Sequence, residues 1–210
     1  MTNAITTTLQ STRVVPLVQA DDPVTAVKIS EALIEGGLSV LEVVLRTDDA
    51  LRCLEAIVDK FPEAQVGAGT VLSARHAKDV IARGAKFIVS PGLDEASVEI
   101  AQTQQIPIFP GIATPTELQR AWNLGLRTVK FFPAGLAGGP KMLKAFSSVF
   151  RDVGFMPTGG VSASNLSEFL EIPSVVACGG SWLTPHAAIK DGDFKAITKL
   201  ASEALAIAQQ

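Results

Sequence analysis

Apolar, strand-like runs alternate with helix-like stretches about eight times along the 210 residues, at a period of roughly 20 to 26 residues. This alternation predicts parallel strands joined by helices, which is an α/β fold. No long linker, Pro-rich spacer or charge block interrupts the pattern. About eight such units close most naturally into a (β/α)8 TIM barrel. We therefore predict one barrel domain over residues 1–210, with a short segment, residues 1–13, before the first strand.

A doubly wound open sheet is the alternative, since 210 residues is near the short end for a barrel. However, the first strand is not followed by the G-x-G-x-x-G motif of a dinucleotide-binding open sheet. A shared repeat length also suits closure. The barrel is therefore the preferred prediction.

Each predicted element in the first half has a recognisable start or stop. Asp21, Asp22 and Pro23 supply an N-cap and a first-turn proline, and Gly36 and Gly37 end that helix. The predicted strands are 14–18, 40–46, 65–70 and 87–92, and the predicted helices are 23–35, 48–61, 73–83 and one that begins at residue 94.

The second half continues the same alternation. Thr114, Pro115 and Glu117 have the spacing of a capping box with proline at the first helical position. The predicted strands are 107–112, 128–133, one that ends at residue 158, and 175–180. The predicted helices are 114–124, 141–150, a short one from residue 162, and an amphipathic terminal helix over 194–208.

The composition argues against several classes of function. With 47% hydrophobic and 19% charged residues, the chain can bury a sizeable core. The net charge is −3 and the 18 Lys and Arg residues are scattered, so no basic stripe indicates nucleic acid or an anionic membrane surface. No run is long enough to span a membrane, and residues 1–12 lack the apolar segment of a secretory signal. We expect a cytoplasmic protein whose partner is a small molecule.

One lysine lies within a β-branched and aromatic run, residues 128–133. Strand side chains alternate between two faces, so Lys130 and Phe132 share one face, while Val129 and Phe131 take the other. If both faces are buried, the ammonium group loses water, which favours the neutral amine, a nucleophile towards carbonyl groups. Alternatively, Lys130 extends from a strand end into solvent, as most lysines do.

Two charged residues and a threonine lie near the ends of other predicted strands, where a barrel builds its active site. Glu42 and Arg46 share a face of the second strand, with the guanidinium nearer the mouth. A structural ion pair or an outward-facing rim is the alternative for these charges. Thr70 ends the third strand beside small residues, where it could serve the site or cap a helix.

Glycine pairs lie at the ends of the last two predicted strands, at Gly159-Gly160 and Gly179-Gly180, and Ser181 adds a hydroxyl group. Loops at these positions of a barrel commonly hold phosphate, because glycine lets backbone N–H groups approach an anion. A single pair is usually only a turn, but two pairs at these strand ends predict a phosphate site. Gly138-Gly139 is a second candidate, which we rank lower.

Metal-dependent chemistry is not predicted, because His76 and His186 lack the partner spacing of a metal site. Cys53 and Cys178 form no disulfide framework or zinc spacing, which fits a reducing cytosol. We expect both histidines at the surface and both cysteines in the core.

Together, the amine, the carboxylate, the guanidinium and the phosphate loops are the groups that a Schiff-base aldolase needs. Lys130 would attack a 2-keto group, and the resulting iminium would accept electrons during carbon–carbon cleavage. Arg46 would hold a carboxylate, and Glu42 would transfer protons. In a sugar-phosphate isomerase or epimerase, Lys130 would instead stay protonated. A non-catalytic phosphosugar binder is a third hypothesis.

Six short motifs occur in a characteristic order: LEVVLRT (41–47), GAGTVL (67–72), SPG (90–92), KFFPA (130–134), PTGG (157–160) and GGSW (179–182). From about Val14 to the last helix, the chain resembles the 2-keto-3-deoxy-6-phosphogluconate aldolases of the KDPG/KHG aldolase family. The resemblance implies a class I aldolase on a (β/α)8 barrel that cleaves 2-dehydro-3-deoxy-6-phosphogluconate to pyruvate and glyceraldehyde 3-phosphate, without a metal or another cofactor. It also implies a homotrimer and a role in the Entner-Doudoroff pathway of carbohydrate metabolism.

The resemblance also implies roles for individual residues. Lys130 would form the Schiff base and Glu42 would be the acid/base, while Arg46 and Thr70 would hold the pyruvyl carboxylate. The other matches are Pro91, Phe132 and Thr158 for the substrate pocket, and Gly159, Gly160, Gly179, Gly180 and Ser181 for the phosphate. The chain departs from the family pattern at residues 135–137, at the aldehyde end. The 6-phosphogalactonate epimer and 4-hydroxy-2-oxoglutarate are alternative substrates, because they share the pyruvyl half.

Overall fold

The computed structural model describes residues 4–210. Within that range, no helix is both long and apolar enough to cross a lipid bilayer. The helices are α1 (Ala4–Thr12), α2 (Pro23–Glu35), α3 (Ala50–Lys60), α4 (Ala74–Ala82), α5 (Glu95–Thr103), α6 (Pro115–Asn123), α7 (Gly139–Val149), α8 (Leu166–Leu170), α9 (His186–Asp191) and α10 (Phe194–Ala208). The strands are β1 (Val14–Val18), β2 (Val40–Val44), β3 (Gln65–Gly69), β4 (Ile88–Val89), β5 (Ile108–Phe109), β6 (Gly111–Ile112), β7 (Thr128–Phe131), β8 (Gly154–Pro157) and β9 (Cys178–Gly180).

All the strand pairs within residues 4–210 are parallel, in a six-stranded group ordered β5-β4-β3-β2-β1-β9 and a three-stranded group ordered β6-β7-β8. Strands β5 and β6 are interrupted only at Pro110, whose carbonyl accepts a hydrogen bond from the backbone N–H of Lys130. On the other side, a bridge joins Thr158 to Gly179. The chain is therefore an α/β protein with a curled parallel sheet, consistent with a TIM-barrel-like fold.

Apolar side chains pack on both faces of the curled sheet. The outer face packs against the helices, where the rings of Phe131 and Phe146 meet edge to face at 5.8 Å. The inner face carries a smaller cluster, which we call the inner cluster: Ile5, Leu9, Val15, Val40, Phe87, Val89, Phe109, Met156 and Ala177. Alternation along the strands produces this division, since Val40 joins the inner cluster while Leu41 packs in the outer one.

Helix α1 is absent from the sequence prediction, which treats residues 1–13 only as a segment before β1. Ile5 and Leu9 lie one helical turn apart, and both are buried in the inner cluster. Their partners include Val15 and Val40, near the starts of β1 and β2, so α1 covers the amino-terminal end of the curled sheet. The intervening threonines conceal the helical pattern. Residues 1–3 lie outside the described residues.

The other predicted elements are present, with shifted ends. The strand predicted at 107–112 is split because Pro110 has no N–H group to donate to a ladder. The strand predicted at 40–46 ends at Val44, so Arg46 lies beyond it. The strands predicted at 87–92 and 175–180 are shorter, the helix expected from Ser162 begins at Leu166, and α9 is an additional helix.

Helix starts follow the predicted capping chemistry. The carboxylate of Asp22 accepts a hydrogen bond from the Thr25 backbone N–H at 2.9 Å, and this bond lowers the pKa of Asp22. At the start of α6, Thr114 and Glu117 form the predicted capping box, and Glu117 also accepts from the N–H of Ala113. These local hydrogen bonds set where α2 and α6 begin.

Both cysteines are free and buried, as predicted for core residues. Burial raises the pKa of Cys53 to about 11 and that of Cys178 to about 12. Neither thiol therefore supplies a ready thiolate nucleophile near neutral pH.

We expect Leu9→Ala to lower the free energy of unfolding by about 2 to 5 kcal/mol, because it removes a fully buried side chain from the inner cluster. Arg75→Ala is the control, since the Arg75 side chain is 90% exposed, and it should change stability by less than about 0.5 kcal/mol. Urea unfolding followed by tryptophan fluorescence measures both. Similar small losses in the two variants would show that α1 contributes little to stability.

Candidate active site

A lysine and a glutamate are buried together inside the curled sheet. Lys130 on β7 is 3% exposed and Glu42 on β2 is 1% exposed, and the Lys130 Nζ lies 3.3 Å from the Glu42 Oε1. The two residues are 88 positions apart in sequence. The alternative in which Lys130 extends into solvent is therefore wrong. Glu42 also does not pair with Arg46, which was the structural alternative for those charges.

The alternation of β7 explains how a lysine comes to face the interior. Val129 and Phe131 pack among the apolar side chains on the outer face of the sheet, so Lys130 between them takes the inner face. The ring of Phe132 lies on the same side as the amine, with its centroid 5.2 Å from Nζ. The neighbour of Lys130 on β6 is Gly111, which has no side chain to occupy the space beside it.

Both members of this pair are almost completely buried. In the described part of the chain, Glu42 is the one acidic group within 4 Å of the Lys130 Nζ. A buried charge without a partner is strongly unfavourable, so each of the two groups depends on the other. A carboxylate at this distance can also accept a proton from the amine and return it, which are the steps of acid–base catalysis.

Arg46 and Thr70 meet one layer closer to the mouth of the sheet. The Arg46 Nε donates a hydrogen bond to the Thr70 Oγ1 at 3.1 Å. Both residues follow strand ends, and Thr70 has a φ of 59°, in the left-handed region. Thr70 does not cap α4, because that role belongs to Ser73. Since Arg46 makes no ion pair within residues 4–210, its guanidinium is available to bind a carboxylate.

The two predicted phosphate loops lie at neighbouring strand ends. Thr158, directly after β8, forms a bridge to Gly179 on β9. Gly159 and Gly160 both have a φ of 86°, a conformation that a residue with a side chain rarely adopts. Ser181 follows β9 and is exposed. The strand ends therefore bring backbone N–H groups and a hydroxyl group to one edge of the sheet.

The glycines of the second loop also make room for neighbouring side chains. A Cβ at Gly179 would lie 2.2 Å from the Thr158 Oγ1, and a Cβ at Gly180 would lie 2.3 Å from the Trp182 ring. A side chain at either position would displace its neighbour. The lower-ranked pair, Gly138 and Gly139, begins α7 with positive φ values.

Phe132 and Pro91 connect the lysine to the remaining predicted residues. The Phe132 ring lies beside Gly159, since a Cβ there would be 3.2 Å from it. Pro91 lies beside Gly111, where a Cβ would be 2.1 Å from the Pro91 carbonyl oxygen. Because Gly111 on β6 pairs with Lys130 on β7, Pro91 lies beside the strand next to the one that carries the lysine.

A cleft of about 470 Å³ opens at the carboxyl ends of β1, β2 and β9. Arg46 and Ser181 contribute to its wall, as does Val44. Glu42 precedes Val44 by two residues on the same face of β2, so the lysine–glutamate pair lies one layer deeper. Seven polar residues of the wall are not among the predicted site residues: Gln19, Asp21, Asp22, Thr25, Thr184, His186 and Lys190. Their one sequence signal is position, after the ends of the first and last strands.

The histidines do not form a metal site. His186 is exposed on α9 but lines the cleft, and His76 is only partly exposed, which corrects its assignment to the surface. Across residues 4–210, no group of three or more His, Cys, Asp or Glu side chains is arranged to hold a metal ion.

The sequence is similar to those of known aldolases. A family model described as KDPG and KHG aldolase matches residues 5–200. The KHG/KDPG aldolase of Escherichia coli strain K12 is 45% identical over 192 residues, which are 91% of this chain and 90% of that protein. The match therefore spans the whole set of site residues.

Two solved structures are similar over almost the whole chain. One is the KDPG aldolase of Legionella pneumophila with pyruvate captured at low pH as a covalent carbinolamine intermediate, with a TM-score of 0.92 and 40% identity, covering 95% of this chain and 97% of that one. The other is the 2-keto-3-deoxy-6-phosphogluconate aldolase of Zymomonas mobilis ZM4 with 3-phosphoglycerate, with a TM-score of 0.92 and 40% identity, covering 99% and 97%.

We expect Lys130→Met to lower the free energy of unfolding by about 3 to 5 kcal/mol, because it leaves the carboxylate of Glu42 buried without a cation. The double variant Lys130→Met/Glu42→Leu should recover most of this loss, because both sites are then apolar. Lys141→Met, at an exposed lysine of α7, is the control. Urea unfolding measures all three, and a single-variant loss no larger than the control's would contradict the mutual dependence of the pair.

Proposed function

The chain belongs to the KDPG and KHG aldolase family, and from this membership we propose that it is a class I aldolase cleaving 2-dehydro-3-deoxy-6-phosphogluconate to pyruvate and glyceraldehyde 3-phosphate. Membership of an aldolase family makes it a carbon–carbon lyase rather than an isomerase or a phosphosugar binder. The observation that carries the proposal is the buried amine of Lys130, 3.3 Å from the Oε1 of Glu42. The carbinolamine captured in the L. pneumophila relative supports a nucleophilic amine.

The first step forms the Schiff base. Glu42 accepts a proton from the Lys130 ammonium across their 3.3 Å contact, which frees the amine to attack the substrate C2 carbonyl. A proton shift within the adduct produces a neutral carbinolamine. Glu42 then returns its proton to the C2 hydroxyl, which leaves as water, and the iminium remains on Lys130.

The second step breaks the C3–C4 bond. The Glu42 carboxylate takes the proton of the C4 hydroxyl, the C3–C4 electron pair moves toward the iminium to form an enamine, and glyceraldehyde 3-phosphate leaves. Glu42 then protonates C3 of the enamine. Water hydrolyses the resulting iminium to pyruvate and regenerates the amine. One carboxylate serves every transfer because it is the acidic group next to the nitrogen.

The substrate is held at both ends. Arg46 and Thr70 bind the pyruvyl carboxylate, since a planar guanidinium with a neighbouring hydroxyl matches its geometry. The middle of the pocket is lined by Pro91, Phe132 and Thr158, and the phosphate is bound by Gly159, Gly160, Gly179, Gly180 and Ser181. The Z. mobilis relative was solved with 3-phosphoglycerate, which supports a phosphorylated ligand.

We also propose that residues 1–210 form one domain in which the curled sheet closes into a complete (β/α)8 barrel. Treating β5 and β6 as one strand interrupted at Pro110 makes the strands eight in number. The bridges from Phe155 to Val175 and from Thr158 to Gly179 support contact between the two edges of the sheet. The reaction would then take place at the carboxyl-terminal mouth of the barrel.

We expect treatment with pyruvate and borohydride to leave a reduced pyruvyl adduct on Lys130, because reduction fixes the iminium as a stable amine. Peptide mass spectrometry locates the adduct, which Lys130→Met should lack and the control Lys141→Met should keep. Glu42→Gln should lower both the trapping rate and turnover by about 10²-fold or more. A folded, untruncated protein that forms no adduct would exclude a Schiff-base mechanism.

Among candidate substrates, we expect the highest kcat/KM for 2-dehydro-3-deoxy-6-phosphogluconate, with less for its galactonate epimer. The E. coli relative is named as an aldolase of both KHG and KDPG, which supports 4-hydroxy-2-oxoglutarate (KHG) as an additional substrate. That substrate lacks the phosphate, so its kcat/KM should be lower by more than about tenfold. This order is tested by measuring kcat/KM for each of the three compounds in an enzyme-coupled assay of pyruvate release. Equal values on all three would remove the phosphate loops from substrate recognition.

We further propose a homotrimer. Several large apolar side chains are exposed on the chain, and contacts between subunits would bury such side chains: Val24, Leu72, Trp122, Leu136 and Val149. Sedimentation equilibrium should give three times the 22.0 kDa chain mass. A monomer at micromolar concentration would contradict this proposal. The cytoplasmic location expected from the sequence stays a prediction.

A further inference from the structure

Gly69, the last residue of β3, lies in the space that Glu42 uses. A Cβ built on Gly69 would lie 2.1 Å from the Glu42 Oε1, 2.7 Å from its Cγ and 2.8 Å from its Cδ. All three atoms lie beyond the Cβ of Glu42, so the carboxyl end of the glutamate fills the volume that a side chain at position 69 would need. Gly69 does not have a left-handed φ, so the constraint on this position is space rather than backbone conformation.

The surrounding backbone is held in place. Gly69 pairs with Val44 on β2, and its carbonyl accepts a hydrogen bond from the Leu45 N–H at 2.9 Å. Strand β2, which carries Glu42, is hydrogen-bonded to β1 and β3 on its two edges. A new methyl group at position 69 therefore displaces the flexible end of Glu42 rather than either strand.

Such a displacement disturbs the contact between the glutamate and the lysine. Ordinary contact between heavy atoms requires about 3.5 Å or more, so the Oε1 would have to move by about 1 Å or more from its place beside the new Cβ. The Oε1 is also the atom 3.3 Å from the Lys130 Nζ. The same movement therefore changes the geometry of the contact through which protons pass in the proposed reaction.

We propose that Gly69 is a positioning residue for catalysis: the absence of its side chain seats the Glu42 carboxylate against Lys130. This inference rests on the proposed aldolase function. Gly67, two residues earlier on the same face of β3, provides a contrast, because a Cβ there would meet the ring of Phe87 in the inner cluster. Position 67 serves packing, whereas position 69 serves the acid/base.

A double-mutant cycle tests this assignment with Gly69→Ala, Glu42→Ala and the combination of both. The readouts are the rate of pyruvate–borohydride adduct formation on Lys130 and the melting temperature. With Glu42 present, Gly69→Ala should slow adduct formation about 10- to 100-fold and lower the melting temperature. With Glu42→Ala, the three clashing atoms are gone, so adding Gly69→Ala should change neither readout. Gly92→Ala is the control, since a Cβ there has nothing within 4 Å, and it should match the wild type.

The outcomes separate the inference from the proposed function. Equal effects of Gly69→Ala with and without Glu42, including failure of both variants to fold, would show that position 69 acts on the fold alone and would overturn the inference. A wild-type adduct rate in folded Gly69→Ala would also overturn it. A wild-type protein that forms no adduct contradicts the proposed function and the catalytic part of the inference, while the melting temperatures still decide whether Gly69 and Glu42 share one space.

Discussion

The contact between the Lys130 ammonium and the Glu42 carboxylate constrains much of the rest of this structure. Both groups are almost completely buried, and a buried charge without a partner is strongly unfavourable. The sheet must therefore curl until β7 faces β2, and the registers of both strands must place these two residues at the same depth. Shifting either strand by one residue would move its charge to the outer face among apolar helices. Folding and catalysis thus depend on the same alignment.

The interior of the curled sheet is arranged in layers around this contact. The amino-terminal layer is the inner cluster, which is apolar and covered by α1. The lysine–glutamate pair forms the middle layer, and Arg46 with Thr70 lies above it beside the cleft. In such a layered interior, the 3.3 Å contact gives the amine and the carboxylate a direct path for proton transfer.

Glycines allow the polar side chains to approach one another. At position 69 a side chain would collide with Glu42, and at position 179 it would collide with Thr158. Gly111 leaves space beside Pro91 and pairs with Lys130. From sequence, such glycines are interpreted as turns or as anion-binding loops, because those are their common uses. Several of them here also accommodate a neighbouring group, a role that becomes visible only when the strands are placed side by side.

The sequence by itself determined the order of strands and helices, the caps at Asp22 and Thr114, and the candidates Lys130 and Glu42, because periodicity and capping depend on residues near in sequence. Arg46, Thr70, Ser181 and the glycine pairs at 159–160 and 179–180 followed from their places at predicted strand ends. The motif resemblance added Pro91, Phe132 and Thr158. Tertiary structure decided the break at Pro110 and the helix α1, whose two buried residues have partners far along the chain. It also decided which groups meet: the amine and the carboxylate are 88 residues apart, and only the curvature and register of the sheet bring them to 3.3 Å.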